Sequence, residues 1–227
     1  MLLAWDGPSR EVRVPVGPTE PQLERLDQAV ALVNAARPPA LKVPEVVTEG
    51  ATALDGADEA CATGQAALAR QARARARAAV PPVGRALSAL PQQLSAYRVA
   101  LAALTPAAEP LEEAQQEALT AVRTAGEAEA TALEAFGAAA EELWPAYAAL
   151  DEAQSLWLDR RSAGWYRSQR EAADAYVLLR KPGVAALERA RAALARADAA
   201  RRPSTEDMRS ALTAADAALE ALRAPVG

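Results

Sequence analysis

Histidine is absent from this chain of 227 residues, cysteine occurs once, and aromatic residues make up only 4%. Each shortage removes a class of chemistry. Without histidine there is no imidazole base for a Ser or Cys nucleophile, and none for the Glu-x-x-His pairs by which helical bundles hold di-iron. Zinc and iron sites in their usual His-containing form are excluded as well. The single thiol, Cys61, has no partner for an intrachain disulfide, and its alanine neighbours predict a buried, inert group. No glycine-rich phosphate loop, G-x-S-x-G elbow or C-x-x-C pair occurs. These absences predict a protein that is not an enzyme and holds no cofactor.

Long apolar runs are missing too. No stretch approaches the roughly 20 residues of a membrane span, and Met1-Leu2-Leu3-Ala4-Trp5-Asp6 lacks the basic start and apolar core of a secretion signal. A cytoplasmic location without membrane partners is the expectation. Only Lys42 and Lys181 are lysine, so arginine supplies nearly all the positive charge. The net charge is nevertheless -5 and the pI about 5.0. That balance gives no general attraction to nucleic acid or anionic lipid. The excess of arginine and alanine is the composition expected of a GC-rich bacterial genome.

Alanine and leucine dominate what is present. The hydrophobic fraction is 51% while mean hydropathy is only -0.09, because alanine contributes most of it. Alanine, leucine, arginine and glutamate are all strong helix formers. Fully burying a Leu or Val contributes about 1.5–3 kcal/mol, so the sparse leucine stripe carries most of the core energy.

The pattern predicts an all-α fold, an elongated irregular bundle of long antiparallel helices over residues 17–227. A short β-hairpin over residues 1–16 is expected to pack on it through Trp5 and the alternating Val12, Val14 and Val16. Thr19 and Gln22 have capping-box spacing and open a helix over about 20–36, with Leu23, Leu26, Val30 and Val33 inward. Proline then sets the expected stops: Arg37-Pro38-Pro39, Pro81-Pro82, Lys181-Pro182-Gly183 and Pro203. A helical segment is expected over about 45–79, with a weak point at Asp55-Gly56, and another over 83–104 kinked at Pro91. From Pro110 to Lys181 an unbroken helix would reach about 100 Å at the helical rise, so a break is expected at Trp144-Pro145. No fixed repeat period suggests a solenoid.

Three groups of residues could carry function. Glu112, Glu113, Glu117, Glu141 and Glu142 could form an all-carboxylate Mg or Ca site, although a solvated acidic face is the better reading. Arg70, Arg73 and Arg77 share one helix face while Arg75 points elsewhere. They could grip phosphates or an acidic helix, yet aromatics for base stacking are lacking. The third group is aromatic. Trp144, Tyr147, Trp157, Trp165, Tyr166 and Tyr176 cluster in one stretch. Leu143, Leu150 and Trp157 recur every seven residues and predict a core seam. Trp165 and Tyr166 are adjacent and cannot both face it. With Arg160, Arg161, Arg167 and Arg170 nearby, the composition is that of a protein-binding hot spot.

The expected function is therefore a non-enzymatic helical scaffold that binds another protein through Trp165, Tyr166, Arg160, Arg161, Arg167 and Arg170. A component of a bacterial toxin or defence system is the alternative, and nucleic-acid binding through Arg70 to Arg77 the third. A homo-oligomer is compatible with any of these.

Overall fold

The computed structural model describes residues 19–108 and 111–223, and all of its regular structure is helical. The helices are α1 (Glu20–Leu41), α2 (Val43–Ala62), α3 (Ala66–Ala108), α4 (Glu113–Glu141), α5 (Leu143–Ser162) and α6 (Gln169–Arg223). The hairpin expected over residues 1–16 lies outside the described residues. Lys42 and Glu142, which separate α1 from α2 and α4 from α5, have right-handed helical backbone, with φ -77°, ψ -20° and φ -66°, ψ -19°. Neither reverses the chain, so α1–α2 and α4–α5 are bent rods. With α3 and α6 they make four long helices packed antiparallel.

Buried residues recur at a seven-residue spacing in every rod. Leu26, Val33, Ala40, Val47 and Cys61 are buried in the first, and Ala69, Ala76, Val83, Leu90, Tyr97 and Leu104 in α3. Val122, Glu129, Phe136, Leu143, Leu150 and Trp157 are buried in the third rod, and Tyr176, Gly183 and Ala190 in α6. A sustained heptad is the signature of knobs-into-holes packing with a left-handed supercoil. Small residues accept the knobs. A Cβ on Gly126 would fall 2.5 Å from a Leu101 methyl, and one on Gly137 2.6 Å from a methyl of Leu90.

The expected proline stops are corrected. Helix α1 runs through Pro38 and Pro39, α3 through Pro81, Pro82, Pro91 and Pro106, and α6 through Pro182 and Pro203. At 43 and 55 residues, α3 and α6 extend about 65 and 80 Å. All eight prolines lie on exposed positions. Proline deprives the carbonyl four residues earlier of its donor. For Pro81, Pro82, Pro182 and Pro203 those carbonyls belong to Arg77, Ala78, Leu178 and Ala199, each an exposed residue whose oxygen water can satisfy. The inward stripe keeps its phase across them, since Val83 stands fourteen residues from both Ala69 and Tyr97. Packing outweighs local propensity.

Glycine makes the two reversals that the described residues contain. Among the described residues Gly64 and Gly164 are those with positive φ, at 75° and 77°, the conformation that ends helices at little cost only for glycine. Gly64 is under a second constraint, because a Cβ there would lie 2.1 Å from the Gln169 carbonyl oxygen. Helix α2 runs unbroken through the weak point at Asp55-Gly56, and the bend expected at Trp144-Pro145 falls at Glu142.

One test follows for α3. Pro81→Ala with Pro82→Ala restores two backbone donors without touching the core. It should raise stability, by up to about 3 kcal/mol per site, at unchanged helical content. Urea unfolding with circular dichroism measures both. A loss of stability would show that the prolines are needed for the packing of α3.

Candidate functional site

At one end of the bundle the Thr63–Gln65 turn and the loop after α5 meet, where the Gln169 side-chain amide donates to the Thr63 carbonyl at 2.8 Å. The loop is closed by main-chain bonds. Ala163 N–H donates to Asp159 O at 2.9 Å, Gly164 N–H to Arg161 O at 3.2 Å, and Trp165 N–H to Arg160 O at 3.1 Å, the Schellman pattern. Ser168 then caps α6. Its hydroxyl accepts from Glu171 N–H at 3.1 Å, and the Glu171 carboxylate accepts from Arg167 N–H at 2.7 Å.

This rigid loop separates the two adjacent aromatics. Trp165 is 66% exposed, with the Arg160 guanidinium 5.3 Å from its ring centroid, a cation–π distance. Tyr166 turns inward against the cluster of Trp157, Leu158, Ala172 and Tyr176, and its buried hydroxyl has no hydrogen-bond partner among the described residues. Arg161 donates to the Tyr166 carbonyl at 3.1 Å. Arg167 and Arg170 are exposed beside Trp165 in sequence. Of the six residues singled out, Trp165, Arg167 and Arg170 face solvent, Arg160 and Arg161 are half-buried braces, and Tyr166 belongs to the packing.

The core below the loop holds the other aromatics. Trp157 is fully buried, its indole N–H donates to Ala172 O at 2.7 Å, and its ring meets Tyr176 edge-on at 5.8 Å. Tyr176 donates to Asp58 at 2.6 Å, and Arg180 pairs with the same carboxylate. Cys61 is buried, and burial pushes its thiol up to about 12, which leaves it protonated and unreactive at neutral pH.

Three arginines of the run bond groups of α5. Arg73 grips Asp151 with both ends of its guanidinium, at 2.8 and 3.0 Å, and also donates to the Asp151 carbonyl at 3.0 Å. Arg77 reaches Asp151 Oδ2 at 3.2 Å, and Arg70 donates to the Ser162 hydroxyl at 2.7 Å. The hydrogen bond from Arg73 chiefly holds the Asp151 carboxyl below the usual aspartate range. Arg75 lines a separate groove between α2 and α3.

The carboxylates do not converge. Glu112, Glu113 and Glu117 flank the start of α4, whereas Glu141 and Glu142 stand at its far end, about 40 Å away at the helical rise. Among the described residues no group of three or more Cys, Asp or Glu is placed to hold a metal. Nor is any helix among them long and apolar enough to cross a membrane.

Sequence reasoning missed the most buried charge. Glu129 is fully enclosed and accepts from Arg37 at 2.7 and 2.8 Å and from the Tyr97 hydroxyl at 2.9 Å. Its signal was a carboxylate on the heptad line of Val122 and Phe136. The chain matches no protein-family model, no curated protein and no solved structure.

Proposed function

We propose that this protein is a non-enzymatic, cytoplasmic helical scaffold that binds another protein through the loop carrying Trp165. The observation that carries this reading is a tryptophan held two-thirds exposed on a loop that main-chain bonds make rigid. An exposed indole on an ordered segment loses little entropy on binding, and tryptophan and arginine are the residues on which interface energy concentrates. Arg167 and Arg170 beside it favour a partner surface with an apolar pocket rimmed by carboxylates. Nucleic-acid binding is the weaker reading, because Arg70, Arg73 and Arg77 already bond groups of α5.

Trp165→Ala tests the assignment. Stability should change by less than about 1 kcal/mol, since the ring is outside the core. Affinity for the native partner should fall about thirty-fold or more, the loss expected for a hot spot. Proteins captured from the source organism by the unaltered chain and by the variant would be compared, with thermal unfolding alongside. Equal capture by both would end the assignment of this loop.

A further inference from the structure

A second feature lies away from the loop, where α3 passes α5. The heptad line of α3 offers only Ala69 and Ala76 in its first two turns of the repeat, against Val83, Leu90, Tyr97 and Leu104 further on. Ala69 is closed over by the cluster of Trp157, Leu158 and Tyr176, whereas Ala76 leaves space against α5. The result is a cavity of about 390 Å³ lined mainly by Leu54, Ala76, Val80, Trp144, Tyr147 and Leu150. That volume falls within the range of small-molecule sites, which are apolar clefts with a few convergent polar groups and occur between helices of bundles.

The convergent polar groups here are Arg77, Asp151 and the buried, uncharged Gln154 at the lining, so Arg77 and Asp151 supply its charge. Their charges do not cancel once Arg73 is included. Arg73, only 11% exposed, already satisfies Asp151 with a bidentate pair, whereas Arg77 is 61% exposed and holds the same carboxylate by one longer bond. Two guanidinium groups share one carboxylate, leaving one positive charge at an apolar cavity. The Tyr147 hydroxyl at the lining is committed to Asp55 at 3.0 Å.

We propose that this cavity binds an amphipathic monocarboxylate, a medium-chain fatty-acid anion, with its chain along Trp144, Tyr147 and Leu150 and its carboxylate on Arg77. Burial of the chain supplies the apolar driving force. Arg77 supplies a charge-assisted hydrogen bond and can swing from Asp151 without leaving that aspartate unpaired. The site is independent of the Trp165 loop, so either assignment can fail without the other.

Calorimetric titration of the full-length chain with decanoate and decanol, both below their micellar range, tests the proposal. The expected result is saturable binding of one decanoate per chain, with decanol at least about ten-fold weaker. Arg77→Gln should weaken decanoate by about ten-fold or more and leave decanol unchanged, as the loss of a hydrogen bond to a charged group requires. Val80→Trp, at a half-exposed position on the lining, should block both ligands. Val99→Ser, on an exposed part of α3 outside the lining, should change neither. Should the Val80 variant fail to fold, the decanoate-to-decanol ratio in Arg77→Gln decides alone. Absence of saturable decanoate binding, equal binding of the two ligands, or binding indifferent to Arg77→Gln would overturn the proposal.

Discussion

Glu129→Ala should cost about 3–5 kcal/mol of stability, among the largest losses available to a single substitution in this chain. The carboxylate is fully buried between α1 and α3 and takes both bonds of the Arg37 fork as well as the Tyr97 hydroxyl. Its hydrogen bond raises the arginine further above its usual range, so removing the carboxylate leaves a guanidinium that stays charged with little water to receive it. Burial, reinforced by the Glu129 charge, likewise pushes the Tyr97 hydroxyl upward, and it remains a neutral donor. The damage should be repairable. Arg37→Met combined with Glu129→Leu removes both charges and is expected to recover part of the loss, because an ion pair's desolvation cost is comparable with its attraction, while the remainder stays with the Tyr97 hydroxyl that loses its acceptor. Urea unfolding of the single and double variants gives the comparison, and a single-variant loss below about 1 kcal/mol would contradict the buried pairing.

Trp157→Ala should be comparably damaging, at about 3–5 kcal/mol. Its ring fills the end of the bundle against Tyr176, and its N–H donates to the Ala172 carbonyl, so truncation opens a void and removes that bond. Trp157→Phe keeps part of the packing and loses the donor, and an intermediate cost is expected. Denaturant titration beside Trp165→Ala makes the contrast direct: two tryptophans eight residues apart, one sealed and one in solvent. Equal losses at both would refute the division of the aromatic cluster into core and surface.

Much of this division was legible before any coordinates. The seven-residue recurrence of Leu143, Leu150 and Trp157 marked a core line, and the adjacency of Trp165 and Tyr166 forced one of them off it. Which one turned out was not legible. It depends on Gly164 adopting positive φ and on the Schellman bonds that aim the next residue away from the bundle. The same blindness applied to the turns. Gly50, Gly64, Gly126 and Gly137 look alike in a helix-forming background, yet Gly64 reverses the chain while the other three sit inside helices beneath Val83, Leu101 and Leu90.

Helical content, antiparallel rods and the inward positions follow from the sequence by itself, because alanine-rich segments favour helix locally and a heptad stripe has one low-energy way to be buried. The ends of the rods were decided only in the tertiary structure. A proline costs a helix about 3 kcal/mol in isolation, and local reasoning stops there. In the bundle the stripe on either side of Pro81-Pro82 keeps its phase and packs against α2 and α4. The burial gained across the full length of α3 exceeds the local cost, while the freed carbonyls of exposed residues remain open to water. The pairing of Glu129 with Arg37, ninety-two residues apart, and the cavity between α3 and α5 have the same origin. Both exist only where separate helices meet.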